Sequence, residues 1–384
     1  MRFFHLSDLH IGLKLLGRDL MEDQVYILNQ IAELARREQP DAIVIAGDIY
    51  DKPVPSAEAV AAFDGFIASL AEAVPGAELM LVSGNHDSAQ RLNLFRGVLN
   101  RQRIHMIGLP PMGPEERIEV VTLPDAHGEV DFYLLPFVKP SMVKPIVGTD
   151  EDGNNLSYDE SLRRLLAREA IDPARRNVLV SHQFYVPAGA EAGSVERMAS
   201  EVVTVGNIDA VSAEVLAPFD YAALGHIHKG MSVGNPRFRY CGTPLACSVS
   251  EAGQTKSVSL VELGAKGDVT VTELPLHPLR QVKVLSGSLE ALLGQGCGDY
   301  VTAVLTGDAT LDAFDLRDRL QAAFPYLLEI RREWSRSLDD GPRVEAAEEL
   351  DPLSLCEAFL GEMDEETRAL LEDAVNAALE VKRA

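Results

Sequence analysis

No stretch of this chain approaches the roughly 18 uncharged apolar residues that span a bilayer, and Met1-Arg2-Phe3-Phe4-His5 runs straight into a strand pattern rather than a signal peptide. Neither membrane insertion nor secretion is expected. Cysteine is sparse as well: Cys241, Cys247, Cys297 and Cys356 show no C-x-x-C spacing, which argues against a disulfide framework and a thiolate metal site and fits the reducing cytoplasm. Positive charge is also short. Lys and Arg number 35 against 59 Asp and Glu, a formal charge of −24, so the chain is not built to coat polyanions by bulk attraction. Internal repeats and low-complexity tracts are absent too.

The acidity is uneven. Residues 339–384 hold fourteen acids and four bases, whereas residues 88–114 hold no acid and four arginines, Arg91, Arg96, Arg101 and Arg103. Any contact with nucleic acid is therefore expected to be local, where phosphates of a bound strand would pass these side chains.

With 384 residues the chain can bury a large core and divide into more than one domain. Arg2 to Leu6 reads as a strand, and Val25, Leu28, Ile31, Leu34 and Ala35 recur on one face of a helix over 21–37. Ala42 to Ala46 is an unbroken apolar run of the kind buried on both faces of a sheet. A second helix over 57–73 and a strand at Leu79 to Val82 complete a βαβ rhythm. Short strands follow at 104–107, 118–123, 132–135, 178–180, 221–224, 239–241, 258–263 and 269–274, with a helix near 158–170 and a mobile loop over 186–206. Pro275 and Pro278 mark a boundary. The expected parts are thus residues 1–275, a small α/β unit over 276–338, and an acidic linker with an amphipathic helical segment over 339–384, where Leu353, Leu355, Phe359, Leu360, Leu370 and Leu371 keep helical spacing.

Five polar clusters stand where apolar strands end: Asp8-Leu9-His10, Gly47-Asp48-Ile49-Tyr50-Asp51, Gly84-Asn85-His86-Asp87, Ser181-His182-Gln183 and Gly225-His226-Ile227-His228. Alone, each has an ordinary reading as a turn, a loop or a packed histidine. Together they supply carboxylate, imidazole and amide at the strand carboxyl ends, where open α/β sheets bind ligands, and a two-metal hydrolytic centre requires such a set. Asp8 and His10, two apart, would point the same way from an extended backbone, and the two oxygens of Asp48 can bridge two ions.

The series D-x-H, G-D-x-x-D, G-N-H-D, H, G-H-x-H resembles the calcineurin-like metallophosphoesterases. The wider text, with Leu134-Leu135-Pro136-Phe137 and Tyr240-Cys241-Gly242-Thr243-Pro244 followed by Ser248 and Glu251, is similar to the bacterial branch of the double-strand-break repair nucleases. That resemblance implies an α/β fold: a metallophosphoesterase β-sandwich flanked by helices, a small α/β capping domain that grips DNA, and a C-terminal helical tail. It implies two Mn²⁺, or Mg²⁺ or another divalent ion, one held by Asp8, His10, Asp48 and His228 and the other by Asp48, Asn85, His182 and His226. His86 would be the general acid, oriented by Asp51, with Asp87 fixing the loop. The implied activity is endonuclease and 3′ to 5′ exonuclease cleavage of DNA, including hairpins, in an ATP-dependent complex. Its partners would be an ABC-type ATPase docked on the C-terminal segment and a second copy of the chain, met through apolar surface between residues 60 and 110. A nucleotide or cyclic-nucleotide phosphodiesterase of the same fold is the alternative, and a non-catalytic scaffold is the reading from another class.

Overall fold

The computed structural model describes residues 1–190, 193, 195, 197–201, 208–306, 313–333, 353, 356, 360 and 365–381. The chain opens with β1 (Arg2–Leu6), a hairpin of β2 (Lys14–Leu15) and β3 (Arg18–Asp19), α1 (Met21–Glu38), β4 (Ala42–Ala46), α2 (Ala57–Ala73), β5 (Glu78–Val82), the single-turn helices α3 (Ala89–Leu92) and α4 (Arg96–Leu99), and β6 (Ile104–Ile107). It continues through β7 (Glu119–Asp125), β8 (Gly128–Leu135), α5 (Pro140–Val147), α6 (Tyr158–Ala167), β9 (Arg176–His182), β10 (Phe184–Val186), β11 (Ala210–Ser212) and β12 (Tyr221–Gly225). Then come β13 (Met231–Val233), β14 (Asn235–Tyr240), β15 (Ser257–Leu263) and β16 (Val269–Pro275). The last elements are β17 (Val282–Gly287), α7 (Leu289–Leu293), β18 (Tyr300–Thr306), α8 (Ala313–Ala323), β19 (Leu327–Glu333) and α9 (Glu365–Val381).

Two six-stranded sheets, in the orders β16-β15-β1-β4-β5-β6 and β13-β14-β12-β9-β8-β7, pack face to face. Within the first, β1, β4, β5 and β6 are parallel; within the second, β14, β12, β9 and β8 are. The side-chain period of two explains the layers. In β4, Ala42, Val44 and Ala46 enter the core between the sheets with Phe3, Phe132 and Tyr221, while Ile43 and Ile45 meet Leu28, Ile31 and Phe63 of α1 and α2 on the outer side. α5 and α6 cover the other sheet through Val143, Leu162 and Leu165. A strand covered on both faces has no polar side to show, which is why β4 is uniformly apolar.

The helices start and stop on local chemistry. α1 carries Glu22 and Asp23 in its first turn and Arg36 and Arg37 in its last, complementing the helix dipole, and Ser56 caps α2 by accepting from the Ala59 amide. Val25 does not lie on the buried face of α1: it is 38% exposed, and Ile27 and Ala32 are buried instead. Periodicity alone misses α5, because Pro140 and Pro145 break its pattern; Pro140 sits in the first turn, which needs no amide donor.

β17, β18 and β19 form a parallel sheet of their own, covered through Leu292, Leu316 and Leu320. This small unit rests on α1, where the buried Asp23 carboxylate accepts from Arg280 Nη1 and from the Tyr300 hydroxyl, each at 2.7 Å. The acidic linker 339–351, Leu355 and Phe359 lie outside the described residues, as do positions 191, 192, 194, 196 and 202–206 of the expected loop. Among the described residues no helix is long and apolar enough to cross a membrane.

The sheets pass close together at Gly225, where a Cβ would stand 1.9 Å from the Ala46 carbonyl oxygen. Gly225→Ala is expected to cost about 3 kcal/mol, read in thermal unfolding as a Tm lower by roughly 5 °C. An unchanged Tm would show that the sheets can slide apart there.

Candidate metal centre

β1, β4 and β5 of one sheet and β9 and β12 of the other all deliver their carboxyl ends to the same edge, and the polar clusters meet there. The first two loops are bonded to each other, Asp8 N–H to the Gly47 carbonyl at 2.9 Å and His10 N–H to the Asp48 carbonyl at 3.0 Å. Asp8 (φ 52°), His10 (φ 43°), Asp48 (φ 49°) and His226 (φ 105°) are all left-handed. The expectation that Asp8 and His10 converge from an extended backbone is therefore corrected: they converge because the chain kinks at both. Such conformations are costly for non-glycine residues and persist where surrounding structure imposes them, typically at functional sites. His182 also differs from expectation, being the last residue of β9 rather than a residue beyond it.

Seven side chains come together in two overlapping groups. In one, Asp8, His10 and His228 place ligand atoms within 4.8 Å of one another, with His10 Nε2 and His228 Nε2 3.2 Å apart. In the other, Asp8, Asp48 and His182 do the same, and His182 Nε2 and His226 Nδ1 each lie 3.0 Å from Asn85 Oδ1. Asp48 Oδ2 stands between the groups, 3.3 Å from His182 Nε2 and 3.7 Å from His10 Nε2. All but Asn85 are buried.

The donor chemistry fits cations. His182 Nδ1 lies 2.8 Å from the Ala46 carbonyl, which can only accept, so that nitrogen carries a proton. Its Nε2 then presents a lone pair to two further acceptors, Asn85 Oδ1 and Asp48 Oδ2, an arrangement that needs positive charge in the middle. Without an ion a proton supplies it. Burial opposes charge on His182, but the Asp48 carboxylate overrides it and the pKa rises to about 9. Burial holds His10 and His226 well below the usual histidine value, which keeps them neutral as ligands must be, and His226 Nε2 has no hydrogen-bond partner. Burial likewise raises Asp8 above the usual carboxylate value. Asp48 is also opposed by burial, yet the charges of His182 and His86 hold it well below.

His86 is only half-buried, its ring edge-on to His10 with centroids 4.9 Å apart. Its Nδ1 is 2.9 Å from the Asp51 main-chain carbonyl. Asp51 thus meets His86 through its backbone, while its carboxylate lies within 4.8 Å of the His86 and His10 nitrogens, with burial raising its pKa. Asp87 accepts from the amides of Ile49, Tyr50 and Gly84 at 2.9 to 3.1 Å, tying the third loop to the second.

The four arginines do not line one path. Arg91 is exposed just after the His86 loop, and Arg96 is paired with Glu119. Arg103 precedes β6 at the strand's amino end, bonded to Glu78 and the Gly76 carbonyl, and Arg101 belongs to the turn it closes. That corrects the expectation for Arg101 and Arg103, which stand away from the strand carboxyl ends. Ser200, Glu201 and Lys256, which contact His228 from other parts of the chain, carry no signal in the sequence pattern. A cleft of about 650 Å³ opens beside His228, between the β2–β3 hairpin and the small sheet, lined by Lys14, Leu16, Ser200, Val249, Val284 and Arg331 among others.

Residues 1–230 match the family described as calcineurin-like phosphoesterase. The SbcD component of the SbcCD nuclease of Staphylococcus saprophyticus is 31% identical over 294 residues, 76% of this chain and 73% of that relative. Its counterpart in Staphylococcus epidermidis is 31% identical over 297 residues, 76% of this chain and 74% of the relative. Among solved structures a dimetal phosphatase from Danio rerio is 15% identical, with a TM-score of 0.43, covering 74% of this chain and 99% of that one.

A divalent ion bound here stabilises the fold by mass action, about 2.7 kcal/mol at a hundred times its Kd. Titrating Mn²⁺ into chelator-treated protein is expected to raise Tm, and Asp48→Ala is expected to remove that rise. A rise of equal size in the variant would place the ion elsewhere.

Proposed function

Because this chain belongs to the calcineurin-like phosphoesterases, and among them to the family of the SbcD component of the SbcCD nuclease, it is a metal-dependent phosphodiesterase, and we propose that its substrate is DNA and its ions are a pair of Mn²⁺. Asp8, His10, Asp48 and His228 would hold one ion and Asp48, Asn85, His182 and His226 the other. The observation that carries this reading is Asp48 Oδ2, a single carboxylate oxygen facing an imidazole of each group. When bound, the ions neutralise charge at the phosphoryl group and ease the ionisation of water. Oxygen and imidazole donors suit Mn²⁺, with Mg²⁺ as the second choice.

The residues of the chain do the rest. His86, with Nδ1 held by the Asp51 carbonyl, keeps Nε2 for the substrate and donates a proton to the leaving oxygen. Arg91, at the exposed start of the acid-free segment, takes a backbone phosphate of the strand, with Arg96 behind it. Residues 276–338 cap the cleft and hold the duplex beside the nuclease unit of residues 1–275. Action is endonucleolytic and 3′ to 5′ exonucleolytic, on DNA ends and hairpins.

Two further contacts complete the assembly. Residues 339–384 dock an SbcC-type ABC ATPase, because α9 keeps Leu370 66% exposed, and an exposed apolar stripe on an acidic helix suits a protein groove better than DNA. Leu94, Phe95 and Val98 are 58%, 75% and 62% exposed, and that patch pairs two copies of the chain within a heterotetramer.

Cleavage of single- and double-stranded DNA is expected to be far faster with Mn²⁺ than with Mg²⁺. Hydrolysis of cyclic nucleotides outrunning that of DNA would favour the smaller-ester reading. His86→Ala is expected to keep its Mn²⁺, measured by calorimetry, and to lose 10²- to 10⁴-fold in turnover; loss of the ions would make His86 a ligand. Leu370→Glu is expected to spare DNA cleavage by the isolated chain while weakening its capture by the ATPase, and equal capture would remove α9 from that contact.

A further inference from the structure

The motif of Tyr240 to Thr243 with Ser248 and Glu251 has no part in the chemistry above, yet its residues surround His228. Glu251 is buried and takes donors on both oxygens: Ser200 Oγ at 2.9 Å, Ser248 Oγ at 3.1 Å and the Cys247 amide at 3.2 Å on Oε1, Lys256 Nζ at 2.6 Å and Thr243 Oγ1 at 3.0 Å on Oε2. Five donors are bonded to it, His228 Nδ1 itself stands 3.5 Å from Oε1, and with no acceptor around it Glu251 is purely an acceptor.

That fixes the proton on His228. The single hydrogen of the Ser200 hydroxyl is spent on Glu251, so toward His228 Nδ1, 2.7 Å away, Ser200 Oγ can only accept. Nδ1 must then carry the proton and Nε2 the lone pair, and Nε2 is the nitrogen facing His10. The main chain of His228 is gripped as well, its amide donating to Glu201 Oε1 at 2.8 Å and its carbonyl accepting from the Thr243 amide at 3.1 Å and from Lys256 Nζ at 3.3 Å. His228, Cys247 and Glu251 also lie close enough to be taken for a metal site, but His228 Nδ1 faces Ser200 and the Glu251 oxygens are met by donors, so no ligand set is open there.

We propose that Glu251 is the positioning residue of the metal centre, acting through the Ser200 hydroxyl to hold His228 in the tautomer and rotamer that present Nε2 to the ion. This rests on the reading of His228 as a ligand. Metal-bound histidines commonly have their other nitrogen held by a carboxylate or its relay, and removing that partner costs 10- to 100-fold in metal affinity. The path here runs through a serine from a distant segment, so sequence spacing around His228 does not reveal it.

The test is isothermal titration of Mn²⁺ into chelator-treated full-length chain, with His228→Ala as reference. Ser200→Ala is the main variant, since it removes a hydroxyl from a part-exposed position and leaves the buried Glu251–Lys256 pair in place. Ser200→Ala is expected to weaken the ion that His228→Ala removes by 10- to 100-fold, to leave the other ion unchanged and to keep the wild-type Tm of the metal-free protein. Ser200→Thr, which restores the hydroxyl, is expected to recover the affinity, and a folded Glu251→Gln to match Ser200→Ala. Wild-type affinity for both ions in Ser200→Ala would overturn the proposal, as would equal weakening of both ions or failure of Ser200→Thr to recover. If His228→Ala itself leaves both ions bound, the ligand reading falls and takes this proposal with it.

Discussion

The hydrogen bond between His182 Nδ1 and the Ala46 carbonyl, 2.8 Å long, ties the end of one sheet to the end of the other, and the site depends on it twice over. Mechanically, it couples β4 and β9 across the core where Phe3, Phe132 and Tyr221 already lock the sheets with edge-on rings 5.3 and 5.7 Å apart. Chemically, it commits the Nδ1 proton of His182 to a carbonyl and turns Nε2 toward Asp48 and Asn85. One bond thus sets both the separation of the loops and the donor state of an imidazole in the cluster.

Close approach has a steric condition as well. A Cβ on Gly84 would stand 2.1 Å from Asp48 Oδ1 and one on Gly225 2.9 Å from Ser7 Cβ. Only residues without side chains let the loops after β5 and β12 come near enough for His226 and His182 to share the side-chain oxygen of Asn85. The carboxylates so gathered are buried, and the bases that might pair with them are elsewhere: Lys256 is spent on Glu251. Desolvated carboxylates among imidazoles, of which burial holds His10 and His226 neutral while Asp48 draws a proton onto His182, form a site that gathers positive charge. This is the physical sense in which the fold anticipates cations, and it explains why strained backbone at Asp8, His10, Asp48 and His226 is tolerated where packing alone would not select it.

Much of this architecture is legible because burial on both faces leaves an unmistakable pattern. The Ala42–Ala46 and Leu79–Val82 runs, each ending in a polar cluster, mark central parallel strands whether or not one knows the fold. What cannot be read depends on the third dimension. Val25 has helical spacing from Leu28 but sits at the rim of the stripe, and Arg103 shares a basic segment with Arg91 yet the chain crosses the sheet between them, so charge composition alone cannot tell one edge from the other. Asp8 and His10 do share a site, but through two left-handed kinks that no spacing rule supplies. Ser200 and Glu251 lie 28 and 23 positions from His228, beyond the reach of any local pattern.

On the proposed roles, the site gives the same residue type different tasks. His182 and His228 have Nδ1 held by a neighbouring oxygen and Nε2 turned into the ligand cluster. His86 shares the first property, through the Asp51 carbonyl, but is half-buried and stacked against the edge of His10 at the mouth of the group. Burial is what strips charge from His10 and His226, whereas the His86 ring keeps contact with water. A ligand gains from being dry and neutral, and a proton donor from being wet at one nitrogen and fixed at the other. Asp51 acts on the ring in two ways: its main-chain carbonyl holds Nδ1, and its carboxylate lies within 4.8 Å of the His86 and His10 nitrogens.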